Sequence, residues 1–321
     1  MKKIKTAIIG LGNIGIEYDL KLNKKDFILT HTNAINSHRS YKLVAGLDKN
    51  LSQCKKLQKY YNVSAYTSID KMFANHEIDL AVLSVNSHYL YSTCEKILKQ
   101  KKIKSIICEK PFSTDIKSGK KLLKISKQKD INIIVNYFRR FHPNLINLKK
   151  KIISHKYGEC NKCIVEYSKG INAYASHFID LLVYFFGQVI KVEKIGSFRK
   201  INNDSVGDFV ITFKNNFKAH FIYMGTNECL INNIRMSFDK CLIELPNGGE
   251  NVMISEYTKN KIFKNEKNID KLDIHSKLNF DKYMFYVFDY LKSKINKREG
   301  NFISSAKDAL ETVGAIEKLL K

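Results

Sequence analysis

Ile4-Lys5-Thr6-Ala7-Ile8-Ile9-Gly10-Leu11-Gly12-Asn13-Ile14-Gly15 decides the fold. A short, largely apolar strand candidate runs directly into glycines spaced G-x-G-x-x-G. Glycine at these places allows a tight turn, close approach of a pyrophosphate to the backbone and close helix packing, while a helix N-terminus favours the anion. Working outward, apolar runs recur at 43–48, 80–85, 105–108 and 131–135, with helix-like stretches at 51–61, 89–99 and 116–128 between them. Apolar runs of this kind suit strands buried on both faces, and their alternation with helices indicates a doubly wound parallel sheet.

Beyond residue 150 the pattern changes to partial alternation, at 163–167, 189–195, 209–213, 219–223, 234–238 and 241–245, separated by turn signals such as Pro246-Asn247-Gly248-Gly249. This predicts a largely antiparallel open sheet, with helices at 176–186 and near 278–295 packed on it. A last helix over 304–320 opens on Ser305 and Asp308 as a capping box. The fold class read from the chain is an α/β Rossmann domain, residues 1–120, plus an α+β C-terminal domain, residues 121–303.

A length of 321 residues agrees with two domains. The net charge of +24 is made of 55 basic and 31 acidic residues; only six of the basic ones are arginine. Lysines spread from Lys2 to Lys321 read as solvated charge and as coding bias. A nucleic-acid partner is therefore not expected, although a general attraction for anionic substrates is. Seven cysteines, an odd number without a secretory signal, point to reduced thiols in a cytoplasm. No run approaches the ~18 apolar residues of a membrane helix. Cys160 and Cys163 have no second pair at zinc-ribbon spacing, so no metal is expected.

Asp48 closes the second strand candidate, where a carboxylate bonds both ribose hydroxyls of NAD and repels a 2′-phosphate. NAD is favoured, and Lys49 beside it keeps NADP open. Asp48 lies 33 residues after Gly15, against the ~20 usually found; the surplus falls in the lysine-rich stretch 17–29, before Thr30-His31. Glu109-Lys110-Pro111 stands at the carboxyl end of the fourth strand candidate, where open α/β sheets place their ligand crevice. Residue position leaves two readings of Lys110 open, a site lysine or the start of a surface loop. A Lys-Pro bond there is a candidate for the cis form.

With these residues in hand, the chain resembles the glucose–fructose oxidoreductase/inositol dehydrogenase/MocA family. The matches run in order: the 10–15 loop, Asp48, Asn86-Ser87-His88, Glu109-Lys110-Pro111, Asn136-Tyr137-Phe138-Arg139-Arg140-Phe141-His142-Pro143 and Ser176-His177-Phe178-Ile179-Asp180. The stretch with Thr30-His31 looks like a branch associated with bacterial sugar and surface-polysaccharide genes. The resemblance implies an NAD(P)-dependent oxidoreductase acting on a carbinol or keto carbon of a sugar or nucleotide sugar. It also implies that helix 304–320 returns to the first domain, and a homodimer or homotetramer formed through the C-terminal sheet.

Carried over residue by residue, the resemblance makes Lys110 and His177 catalytic and places Asp180 on a sugar hydroxyl. Tyr174, Arg139 and Arg140 are further substrate contacts; for the arginines a surface pair bonded to local carbonyls is the competing reading. Gly10, Gly12, Asn13, Ile14, Gly15, Asp48, Asn86, His88 and Glu109 form the cofactor set. One position departs from the family pattern: many members carry an aspartate four residues before the histidine, and here Ala173 stands there. Its loss puts inositol in doubt as the substrate. It is also the one argument for an alternative, a catalytically impaired dinucleotide-binding regulator or scaffold of the same fold.

Overall fold

The computed structural model describes residues 2–100, 103–226, 228–269, 273–277, 280–295 and 302–321. Contacts divide the chain into two compact units, Met1–Phe141 with Asp281–Val313, and His142–Phe280 with Gly314–Lys321.

The first unit alternates β1 (Ile4–Ile9), α1 (His31–Ser37), β2 (Tyr41–Leu47), α2 (Leu51–Tyr61), β3 (Ser64–Tyr66), α3 (Ile69–Asn75), β4 (Leu80–Leu83), α4 (Ser87–Leu98), β5 (Ser105–Cys108), α5 (Ile116–Gln128) and β6 (Asn132–Val135). The strands pair in parallel in the order β3-β2-β1-β4-β5-β6, the doubly wound arrangement that the apolar runs predict. Short polar side chains open the helices. Thr30 caps α1, Asn50 caps α2, Asn86 caps α4, and Asp115 caps α5 through a 2.8 Å bond from Ser118 N–H.

The second unit holds α6 (Pro143–Ile153), β7 (Cys160–Tyr167), α7 (Ser176–Phe186), β8 (Val189–Ile201), β9 (Asp204–Phe213), β10 (Lys218–Tyr223), β11 (Asn233–Phe238), β12 (Cys241–Leu245), β13 (Asn251–Lys259), β14 (Lys267–Ile269) and β15 (Asp273–Lys277). Its strands run β14-β13-β12-β11-β7-β10-β9-β8, with β15 on β13. The pairing is antiparallel except between β7 and β10.

Beyond residue 280 the chain forms α8 (Tyr283–Leu291) and α9 (Ala306–Leu320). The sequence reading put a helix near 278–295 on the antiparallel sheet, and this is corrected. Met284, Val287, Phe288 and Leu291 are fully buried in the first unit with Ile8, Ile35 and Leu80. Their spacing marks an apolar stripe, but a stripe alone does not say which sheet it covers. Residues 278 and 279 of that expected helix lie outside the described residues. Ala306 and Ala309 pack on the opposite face with Leu122 and Tyr137. Ser305 Oγ lies 2.7 Å from Asp308 Oδ2 at the start of α9.

His142, which is buried, caps α6 by accepting the Asn144 N–H at Nδ1 over 3.1 Å. Burial pushes its imidazole down from 6.5 to about 4. A depressed folded-state value means the neutral ring stabilises the fold fully above the unfolded value. That contribution, of order 1–2 kcal/mol after solvent screening, is lost as pH falls from about 6.5 towards 4. His142→Asn keeps a cap oxygen without titrating there. Its Tm is therefore expected to fall less across that window than the wild type's, and superimposable Tm–pH curves would contradict the reading.

Candidate functional site

At the end of β1 the three glycines have three different jobs. Gly10 adopts φ +95°, and a Cβ there would sit 2.6 Å from the Ser84 carbonyl oxygen. Ser84 Oγ in turn donates to the Gly10 carbonyl over 2.7 Å. A Cβ on Gly15 would lie 2.4 Å from that same Gly10 oxygen, so the π-helical turn Asn13–Glu17 can only start this close to the strand with glycine there. Gly12 differs: nothing lies within 4 Å of its would-be Cβ. The loop is thus packed tightly against β4 on one side and open on the other, as a backbone that receives a pyrophosphate must be.

Asp48 stands just past β2 and faces this loop. Its Oδ2 accepts the Leu11 N–H at 2.8 Å and its Oδ1 accepts the Asn50 N–H at 2.9 Å. A carboxylate has further lone pairs for ribose hydroxyls after these two bonds. Lys49 Nζ lies 4.5 Å over the ring of Tyr89. Asn13, Asn86 and His88 are exposed near the carboxyl ends of β1 and β4, and Ile14 is half-buried. Asn86 Oδ1 accepts the His88 N–H at 3.1 Å, so its side chain serves α4 as a cap.

Glu109 and Lys110 follow β5, and the Lys110-Pro111 bond is cis. Glu109 Oε1 receives two side chains at 2.7 Å, Asn136 Nδ2 and His31 Nε2, while Oε2 lies 3.3 Å from the Lys110 N–H. Burial opposes the carboxylate's charge most strongly. The hydrogen bond and charge of His31, with Asn136 and the Lys110 charge, outweigh it and hold Glu109 below the usual carboxylate range. Beside it, burial first and then the nearby charge of Glu109 push the Tyr283 phenol up. Asn136 is buried, and its Oδ1 lacks a hydrogen-bond partner among the described residues.

Sequence reasoning missed His31 as part of this cluster, and with it the task of residues 17–29. Asp19 is fully buried and accepts from Leu29 N–H at 2.8 Å, Thr30 N–H at 3.0 Å, Thr30 Oγ1 at 2.7 Å and Asn33 Nδ2 at 3.1 Å. Met284 N–H reaches the Ile28 carbonyl and Tyr283 OH the Leu29 carbonyl, which ties the stretch to α8. Its one legible signal was the surplus length before Asp48.

Arg139 and Arg140 are both buried, so a surface pair is not what the chain forms. Arg140 Nη1 donates to the Ile303 carbonyl at 3.1 Å and the Arg139 guanidinium lies 4.6 Å over Phe138.

In the second unit, His177 lies in the first turn of α7, half-buried, with Asp180 one turn on and 1% exposed. Before it runs the π-helical turn Ile171–Ala175, which carries half-buried Tyr174 with Lys169 Nζ 5.0 Å over its ring. At Ala173 the structure supplies a carboxylate from elsewhere. Asp204 Oδ2 accepts the Ala173 N–H at 2.9 Å, and Oδ1 accepts the Asn172 N–H at 3.1 Å and Asn172 Nδ2 at 2.9 Å. Asp204 opens β9, thirty-one residues away in sequence. Cys160 and Cys163 are buried at the start of β7, and burial pushes Cys160 up to about 12. Among the described residues, no group of three or more His, Cys, Asp or Glu side chains is placed to hold a metal ion. No helix among them is long and apolar enough to cross a membrane.

Comparison with known proteins bears on these features. Residues 4–137 match the Gfo/Idh/MocA model, described as an oxidoreductase family with an NAD-binding Rossmann fold. An uncharacterized oxidoreductase of Schizosaccharomyces pombe is 25% identical over 235 residues, 65% of this chain and 59% of that one. Inositol 2-dehydrogenase of Rhizobium meliloti is 24% identical over 156 residues, 49% of this chain and 42% of that one. The chain spans about half the length of the curated relatives it matches. In fold it is similar to the WlbA dehydrogenase of Bordetella pertussis, solved with NADH and UDP-GlcNAcA. The TM-score is 0.77 at 15% identity, covering 99% of this chain and 95% of that one.

Proposed function

We propose that the protein, whose residues 4–137 match the Gfo/Idh/MocA model of an oxidoreductase family with an NAD-binding Rossmann fold, transfers a hydride between nicotinamide and a carbinol or keto carbon of a sugar or nucleotide sugar. The observation that carries the reading is Glu109. It is a half-buried carboxylate fixed by two side-chain donors, and its neighbour is Lys110 at the carboxyl edge of the cofactor sheet. A fold relative holding NADH and UDP-GlcNAcA supports the nucleotide-sugar class.

The glycine loop fits NAD, with open space at Gly12 for the pyrophosphate, Asp48 for the ribose, and the buried Asn136 Oδ1 as an acceptor for a carboxamide N–H. Held by the glycine loop and Asp48, NAD would supply the hydride acceptor for oxidation of the carbinol carbon, and NADH the hydride donor for the reverse reaction. Lys110 donates a hydrogen bond to the reacting oxygen and stabilises its developing negative charge. His177 takes the hydroxyl proton in oxidation and gives it back in reduction. Asp180 holds a neighbouring hydroxyl, while Tyr174, Arg139 and Arg140 contact the sugar or its phosphates.

The test is NADH absorbance change with a panel of nucleotide sugars. His177→Asn is expected to lower turnover of the accepted substrate by on the order of 10²- to 10³-fold; full turnover would sink the proton-shuttle assignment. A chain that binds NADH and turns over none of the panel would favour the regulator reading that Ala173 suggests.

Asp48 sets the preference for NAD over NADP. Asp48→Asn retains an oxygen for the Leu11 N–H and removes the charge that opposes a 2′-phosphate. The NADPH-to-NADH affinity ratio, read by fluorescence titration, is expected to rise by about tenfold or more. An unchanged ratio would contradict the role.

A role in bacterial surface-polysaccharide or glycan biosynthesis is supported by the resemblance of the Thr30-His31 stretch, and a cytoplasmic setting by the free cysteines. Exposed Ile190 and Ile195 on β8 and Ile222 on β10 support a homodimer or homotetramer formed through the second sheet.

A further inference from the structure

We infer that His31 is a positioning residue for Lys110, acting through Glu109, and that residues 17–29 serve to seat it. The inference rests on the role proposed for Lys110.

The Glu109 carboxylate is held in its charged form and can only accept, so the 2.7 Å contact requires a proton on His31 Nε2. His31 is fully buried, against the edge of Phe288. Asn136 is the second donor to the same oxygen; the other oxygen faces the peptide N–H of Lys110. The backbone from which the lysine side chain departs is therefore tied to a carboxylate held by a helix 78 residues upstream. That helix is itself held in place. Asp19 takes the backbone N–H groups of Leu29 and Thr30 and the Thr30 hydroxyl, and Thr30 caps the helix on whose first residue His31 stands. A lysine stem is flexible, so fixing its starting point is what a protein can contribute to its aim. With an ordinary-length connection from the glycine loop to β2, Asp19 and this seat would be absent.

The first test is on the unaltered protein. A nitrogen-15 spectrum of the histidines bound to NAD is expected to show His31 protonated at Nε2. A ring protonated only at Nδ1 would overturn the inference. The second test compares crystal structures with NAD. His31→Leu fills the buried site without a donor and is expected to move the Glu109 carboxylate and the 109–111 backbone by about 1 Å. His31→Gln, which offers an Nε2 donor, is expected to restore them. A displacement of that size costs on the order of 100-fold in turnover. With an accepted nucleotide sugar, kcat should therefore fall by about that factor in His31→Leu, with KM for NAD within about twofold, and recover in His31→Gln. An unmoved 109–111 backbone in His31→Leu, or no rescue by His31→Gln, would refute the positioning role. Lys110→Ala separates the two failures: full turnover in that variant refutes the proposed role of Lys110 and leaves the structural result on His31 standing.

Discussion

Lys110→Ala should lower kcat on the accepted nucleotide sugar by on the order of 10²- to 10³-fold while NAD affinity stays within about twofold. The magnitude is that of removing one preorganised donor from a developing oxyanion. The separation of kcat from cofactor binding follows from the structure. The glycine loop is held by Ser84 and Asp48, with bonds that do not involve the Lys110 side chain. Arginine should not rescue the variant, because a planar guanidinium does not place a single point donor where an ammonium does. Equal loss of NAD affinity and turnover would mean that Lys110 holds the cofactor rather than the reacting oxygen.

The glycines give the second large effect, as a pair with opposite signatures. Gly10→Ala places a Cβ at φ +95° and 2.6 Å from the backbone of Ser84. Backbone strain of about 1–2 kcal/mol adds to a clash that neither β1 nor β4 can relieve without moving. A loss of about 3–5 kcal/mol follows, on the order of 10 °C in Tm. Gly12→Ala meets nothing within 4 Å, and its φ of −80° suits any residue. It should leave Tm within about 1 °C. NAD affinity should still drop by about tenfold or more, since the methyl stands where the pyrophosphate approaches. Calorimetry with and without NAD checks both, and a Gly12→Ala protein with wild-type NAD affinity would place the phosphates elsewhere.

How much of this was legible in the chain depends on whether the signal was local. β1, β5, α2, α5, α7 and β12 were readable to the residue, because apolar runs, helical spacing and caps are written within each segment. Glu109-Lys110-Pro111 was readable as a motif, and its place at a strand end followed from the run before it. What the motif did not contain is that Glu109 is held by a histidine 78 residues away and an asparagine 27 away. Asp19 was likewise invisible: a buried carboxylate collecting loop N–H groups has no periodicity, and in sequence it is one acid in a lysine-rich stretch. Asp204 at Ala173 shows the same limit in the second unit, where the carboxylate that takes the Asn172 and Ala173 N–H groups comes from the start of β9, thirty-one residues on. The misplaced α8 had a clear apolar stripe and lacked only a partner. Dispersed lysine charge indicated a taste for anions and no address.

The central claim is hydride transfer between nicotinamide and a sugar carbon. It is tested most directly with NADH deuterated at nicotinamide C4 and the keto form of an accepted nucleotide sugar. The account predicts deuterium on the carbinol carbon of the product and none in solvent water, with the rate reduced in Lys110→Ala. Deuterium released to water, or product formed at the same rate without Lys110, would contradict it.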